Sequence, residues 1–213
     1  MNFYFSLISK EGIISIVFTI IISLMLKSLL KNKGLENTFN IKSIFIITLG
    51  SILYGIISLI GLPVSPNTYF RISIALLTII GTLFGPLIGF LVGVIGHVIN
   101  DLIVWGSVWW SWVFISGILG LFAGLINLCP DFNIKSGHIK STHIIKMYLL
   151  SVISILVAGF IAFLGDIMLY NLPASIVWIE IIIVSISNFI VIALLGVPLI
   201  LLITKGYKDK PNL

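Results

Sequence analysis

Residues 70–104 read FRISIALLTIIGTLFGPLIGFLVGVIGHVINDLIV, and this stretch decides the fold class of the chain. It is apolar over nearly its whole length, whereas a helix that spans a bilayer needs only about 20 such residues. Gly85 and Pro86 interrupt it near the middle, and proline both removes a helical hydrogen bond and disfavours helix at the residue before it. The stretch therefore predicts two transmembrane helices, near 70–86 and 88–104, joined by a very tight turn.

The rest of the chain has the same apolar character. Of its 213 residues, 59% are hydrophobic and 9% are charged, and the mean hydropathy is +1.25. Apolar runs predict five further helices near 12–30, 43–62, 109–128, 145–166 and 175–204. No small-residue cleavage site follows the first run, so we expect a retained helix rather than a signal peptide. We predict an all-α polytopic membrane protein, with residues 1–213 forming one integral membrane domain.

The lysines predict how the chain lies in the cell membrane. If the chain crosses the membrane seven times, ten of the twelve basic residues lie on one side of it, in or beside two loops and the tail. Only Lys10 and Arg71 then lie on the other side of the membrane. Because cytoplasmic loops collect Lys and Arg, we expect a cytoplasmic C-terminus and an N-terminus outside. The net charge of +5 is therefore an orientation signal, and we expect no nucleic-acid partner.

Three segments share the predicted outer face: LPVSPNTYFR at 62–71, VWGSVWWSW at 104–112 and GDIMLYNLPAS at 165–175. They hold the richest concentration of aromatic, amide and charged side chains outside the lysine-bearing loops. A ligand site would therefore open outward.

His97, Asn100 and Asp101 are polar residues at membrane depth. His97 and Asp101 are four residues apart, so they share one face of a helix. They either form a polar rung in a cavity, binding a ligand or carrying a proton, or are a structural pair that satisfies itself; the sequence favours neither. Two such ligands fall short of a metal site, and the single cysteine, Cys129, adds no cluster, so we predict neither metal nor cofactor.

Four of the five tryptophans lie between residues 105 and 112. They form either an aromatic belt at the membrane interface or the wall of a small-molecule pocket, and we favour the wall. On a helix Trp109 and Trp112 share a face, whereas Trp110 points elsewhere. Ser107 is a candidate N-cap for this helix.

Arg71 is the only arginine, and it follows Asn67 in the first outer segment. Its guanidinium suits bidentate recognition of a carboxylate or phosphate; the alternative is an anchor that reaches to the interface. Glu180 and Asn188 on the last helix are weaker candidates. A tryptophan-walled site with an arginine nearby suits a flat heteroaromatic molecule, with or without an acidic group.

Ser51 and Gly55 form a small-residue pair that lets another helix approach, either within the chain or from a partner. The chain contains no P-loop, GxSxG or HExxH motif, so we expect no enzyme activity and no ATP hydrolysis of its own.

Several motifs together resemble those of the substrate-binding S components of energy-coupling factor (ECF) vitamin transporters, and most closely an uncharacterised subfamily. They are PNT (66–68), LFGPLIGFLVGVIGH (83–97), Asp101, GSVWWSWVFISGILG (106–120) and LYNLPAS (169–175). The resemblance covers roughly residues 44–204. It implies a compact bundle of six transmembrane helices at 43–204, to which 12–30 adds an N-terminal helix. It also implies capture of a vitamin or related micronutrient from outside, and association with a transmembrane coupling subunit and two cytoplasmic ATPases.

The resemblance also implies roles for particular residues. Asn67 would belong to the loop that gates the pocket, and Ser51 and Gly55 to the face that meets the coupling subunit. The implied pocket residues are His97, Asp101, Trp109, Trp110, Trp112 and Asn188, to which the sequence itself adds Arg71 and Asn100. The alternative function is a self-sufficient proton-coupled carrier that uses His97 and Asp101.

Overall fold

Every predicted apolar segment contains a helix in the computed structural model, which describes residues 7–32, 40–65 and 68–209. The helices are α1 (Lys10–Asn32), α2 (Ile41–Ile57), α3 (Ser73–Phe84), α4 (Pro86–Trp105), α5 (Trp110–Leu125), α6 (Ser141–Tyr170) and α7 (Ala174–Val191). A π-helical turn, Ile192–Gly196, continues α7 into α8 (Val197–Asp209), and two short 3₁₀ turns lie between α5 and α6. The fold is all-α and polytopic, as predicted.

Five helical stretches in the described ranges are long and apolar enough to cross a membrane: α1, α4, α5 with the turn after it, α6, and α7 continued into α8. Helices α2 and α3 are apolar but shorter, with 17 and 12 residues. The protein is therefore a multi-pass membrane protein.

The first polar segment contains a β-hairpin that the sequence did not predict. Strands β1 (Gly61–Ser65) and β2 (Thr68–Arg71) are antiparallel, and Gly61 pairs with Arg71. Pro63 removes a backbone donor from so short a strand, which argues against strand in the sequence. The pairing holds Arg71 at the base of the hairpin, just before α3.

Glycines determine how closely α3, α4 and α5 pack. Gly85 forms the tight turn before α4 with φ of 96°. A Cβ added at Gly89 would lie 2.2 Å from the Gly120 carbonyl oxygen, and one at Gly93 would lie 2.3 Å from that of Ser116. The backbones of α4 and α5 are thus in contact, and this contact brings Ser116 against the helix that carries His97.

The additional helix α1 packs on the α4–α5 pair. The ring of Phe18 meets that of Phe114 edge-on, with 6.3 Å between their centroids. Ile22 and Leu26 pack against the cluster that contains Phe90. Most of α1 otherwise remains exposed, as expected of a helix that faces lipid.

Ser51 and Gly55 are buried where α2 meets α4. A Cβ at Gly55 would lie 2.8 Å from Cγ2 of Ile99, and a Cβ at Gly96 would lie 2.8 Å from the Ser51 carbonyl oxygen. The close approach that these small residues allow is therefore made within the chain. They are not among the exposed apolar residues of α2.

The three polar segments meet at one end of the bundle, as predicted. The rings of Tyr69 and Trp105 lie 6.5 Å apart, and Trp109 stacks on Tyr170 at 4.5 Å. At the opposite end, Lys140 forms an ion pair with Asp131 at 2.7 Å. The chain near Gly137 packs there against Lys208 of α8, so lysines of the loop between α5 and α6 and of α8 lie at the same end.

Candidate functional site

A cavity of about 490 Å³ lies at the aromatic end of the bundle, between β2, α4, α5, α6 and α7. Its apolar wall consists of Trp105, Trp109, Trp112, Leu172 and Ile176. Its polar wall consists of Arg71, His97, Asp101, Ser107, Asp166 and Glu180. A concave, largely apolar site with a few converging polar groups is the usual form of a small-molecule site.

Asp166 organises the aromatic wall and is fully buried. Nε1 of Trp109 donates to its Oδ1 at 2.8 Å and Nε1 of Trp112 donates to its Oδ2 at 2.9 Å. The hydroxyl of Ser111 also donates to Oδ1. Because an indole N–H can only donate, a buried acceptor between the two rings holds both in one orientation.

Asp166 lies in the third polar segment but is not among the site residues predicted from the sequence. The one sign in the sequence that Asp166 has a role is that it is a carboxylate near the end of a membrane-spanning helix. Its partners could not be found from that signal, because Trp109 and Trp112 lie 57 and 54 residues earlier in the chain.

Asp101 connects α4 to the start of α5. Its Oδ2 accepts the backbone N–H of Trp109 at 3.0 Å, and its Oδ1 lies 3.4 Å from Nε2 of His97. Trp109 is the N-cap residue of α5 and its own side chain makes no cap. The prediction that Ser107 caps this helix is therefore wrong; a carboxylate from α4 satisfies the exposed N–H group, and Ser107 lines the cavity instead.

A buried hydrogen-bond chain leads away from His97. Its Nδ1 lies 2.6 Å from Oγ of Ser116, and that oxygen lies 2.8 Å from the hydroxyl of Tyr54. The sequence left open whether His97 and Asp101 face a cavity or form a structural pair, and their placement has features of both. They line the cavity, and they are also bonded to groups of the protein.

The tryptophans divide between two environments, as their helical spacing predicted. Trp109 and Trp112 line the cavity, and Trp109 is stacked on Tyr170 with 27° between the ring planes. The ring of Trp110 is buried in the apolar cluster with Phe90, while its backbone N–H donates to the hydroxyl of Tyr170 at 3.0 Å. Trp110 therefore supports the wall from behind and does not form part of it.

The remaining predicted site residues lie in different places. Arg71 lines the main cavity and also a second one of about 40 Å³, where it is joined by Asn188. Asn100 is buried against α2, where its Nδ2 lies 3.5 Å from the Gly55 carbonyl oxygen, and it lines neither cavity. Asn67 lies outside the described residues.

Glu180 lies one helical turn below Ile176 on the same face of α7 and lines the cavity. It is half-buried, and within the described ranges its carboxylate makes no hydrogen bond or ion pair. The same part of the chain contains no group of three His, Cys, Asp or Glu residues placed to hold a metal ion.

Comparison with known proteins identifies the class of membrane protein. A family model described as ECF-type riboflavin transporter, S component, matches residues 37–205. The chain belongs to this family. An S component is a subunit of a transporter and not an enzyme, which agrees with the absence of catalytic motifs. The match begins after α1, so the additional helix lies outside it.

The chain is also similar to a protein of an uncharacterised subfamily. A UPF0397 protein of Streptococcus gordonii is 34% identical over 171 residues, which cover 79% of this chain and 91% of the relative. No solved structure matches the chain significantly.

Proposed function

We propose that this S component captures a flat heteroaromatic vitamin or a related micronutrient in the 490 Å³ cavity. The observation that carries the proposal is the pair of indoles, Trp109 and Trp112, held by one buried carboxylate along the cavity wall. Rigid aromatic faces favour stacked, flat ligands. Riboflavin, which the family description names, is flat and aromatic and is the first ligand to test.

The cavity faces the outside of the cell in this proposal. It lies at the end of the bundle opposite the lysines of the α5–α6 loop and of α8. Since lysines collect on the cytoplasmic side, the C-terminus is cytoplasmic and the N-terminus is outside.

Other subunits supply the energy in this proposal. The chain carries no nucleotide-binding motif of its own, and we propose that a transmembrane coupling subunit and two cytoplasmic ATPases drive import. The exposed apolar face of α2, and not the buried Ser51 and Gly55, is the surface of that helix that we propose for the coupling subunit.

Tryptophan fluorescence of the purified full-length chain tests ligand capture. Riboflavin and a panel of other vitamins are titrated, and we expect saturable quenching for at least one. Trp112→Phe should weaken that binding, whereas Trp178→Phe is the matched control, because Trp178 packs on Phe163 away from the cavity. If no vitamin causes quenching or a thermal shift, and no coupling subunit copurifies, the proposal is wrong.

A second candidate function is a self-sufficient proton-coupled carrier, which the chain from His97 through Ser116 to Tyr54 favours. The next polar groups, however, are Ser58, whose hydroxyl donates to the backbone carbonyl of Tyr54, and Ser73, whose hydroxyl lies 2.7 Å from that of Ser58, and both lie at the same end of the bundle. Uptake by the isolated chain in ATP-free vesicles, lost with His97→Asn, would support this candidate. A strict requirement for ATPase partners would exclude it.

A further inference from the structure

The charge of the residues that line the cavity indicates the charge of the ligand; this inference rests on the proposed function. We propose that the ligand is a flat heteroaromatic cation. In the sequence, Arg71 alone suggests a ligand with an acidic group. In the folded chain, however, Asp101, Asp166 and Glu180 line the same cavity as Arg71. One guanidinium then faces three carboxylates. The wall has a formal excess of two negative charges when His97 is neutral, and of one when it is protonated.

The three carboxylates differ in how far other groups of the protein already balance their negative charge. Asp101 has His97 3.4 Å away and the N-terminus of α5 against its other oxygen, and both favour its negative charge. In the part of the chain that the structure describes, the carboxylate of Asp166 accepts hydrogen bonds from three uncharged donors: two indoles and the hydroxyl of Ser111. These bonds orient its carboxylate but add no positive charge.

Glu180 is the carboxylate most available to a ligand. It lines the cavity from α7, whereas Trp109 and Trp112 line it from α5, and it has no bonded partner in the described ranges. An ionisable group at membrane depth is costly unless it is paired or functional. A positive group on the ligand would supply the missing partner.

The aromatic wall favours the same ligand charge. The faces of tryptophan rings attract cations as well as flat rings, and the attraction grows when water is excluded. Trp105, Trp109 and Trp112 all line the cavity with the carboxylates. Arg71 also lines the smaller cavity, together with Tyr69 and Tyr54, so its guanidinium is shared between the two.

Pairs of probes that have similar size and shape but different charge test the inference. Pyridoxamine is compared with pyridoxine, and nicotinamide methylated on its ring nitrogen is compared with nicotinamide, by quenching of tryptophan fluorescence at constant pH and low salt. Thiamine and riboflavin extend the set to larger rings. We expect the cationic member of each pair to bind more tightly, and added salt to weaken its binding.

Charge-neutralising variants locate the effect. Glu180→Gln should weaken binding of the tightest cation by roughly 10- to 100-fold, as expected for the loss of one charge-assisted bond. Arg71→Gln should strengthen that binding, because it removes a positive charge from the lining of the same cavity. Asp131→Asn removes the same charge at the opposite end of the bundle and should change nothing.

The outcomes separate this inference from the proposed function. Equal or tighter binding of the uncharged members, or loss of binding in Arg71→Gln but not in Glu180→Gln, overturns the cationic ligand and leaves vitamin capture standing. The absence of binding by every probe also overturns it. If no coupling subunit copurifies either, the proposed function falls as well.

Discussion

The hydrogen bond between Trp112 and Asp166 gives the most direct test of the site's architecture. Trp112→Phe keeps an aromatic ring on the cavity wall but removes the N–H that donates to Oδ2 of Asp166 at 2.9 Å. That oxygen then remains buried without its donor, since Asp166 is fully buried. A hydrogen bond to a charged group contributes about 1.5–3 kcal/mol to the free energy of unfolding.

The matched substitution Trp178→Phe removes an indole N–H that has no hydrogen-bond partner in the described ranges, on a ring that packs against Phe163. The difference between the two variants therefore isolates the hydrogen bond from the change in ring size. For a chain of this length we expect Trp112→Phe to melt about 3–12 °C below Trp178→Phe.

The measurement is thermal unfolding of the purified chain in one detergent, followed by circular dichroism. A double-mutant cycle with Asp166→Asn adds a second constraint, because the two substitutions affect the same bond. Their combined effect should be smaller than the sum of the separate effects. Equal melting temperatures for the two tryptophan variants, or strictly additive effects in the cycle, would refute the role assigned to Asp166.

Three further predictions concern packing, the buried hydrogen-bond chain and the surface ion pair. Gly89→Ala should lower the free energy of unfolding by about 1–3 kcal/mol, because its Cβ would meet backbone 2.2 Å away. Gly206→Ala, a helical position with open space around it, should cost nothing measurable in the same thermal assay. Ser116→Ala leaves a buried imidazole and a buried phenol without their shared partner and should cost about 1–3 kcal/mol, measured by the same unfolding experiment. The Lys140 ammonium, through its hydrogen bond and its charge, lowers the pKa of Asp131. The pair therefore persists at neutral pH and is lost only as the pH falls below the ordinary range of an aspartate. Because the pair is exposed, Asp131→Asn should leave the melting temperature at neutral pH unchanged, and a clear drop would contradict this.

Much of the fold follows from local properties of the sequence. Long apolar runs predict the helices, Gly85 and Pro86 predict the turn before α4, and both are confirmed. The shared face of Trp109 and Trp112 also follows, because helical periodicity is a local property. The β-hairpin does not, since two short strands containing proline carry little signal of their own.

The sequence by itself determined a polytopic S component with its polar and aromatic residues collected at one end. Only the tertiary structure decided which of those residues share a cavity. Asn100 and Trp110 are adjacent to cavity residues in sequence but turn into the protein, because neighbouring helical positions face different directions. Conversely, the carboxylates of Asp101, Asp166 and Glu180 come from three separate helices, α4, α6 and α7. No local sequence pattern predicts that helix packing brings these three carboxylates to one cavity. The charge of the cavity depends on that packing.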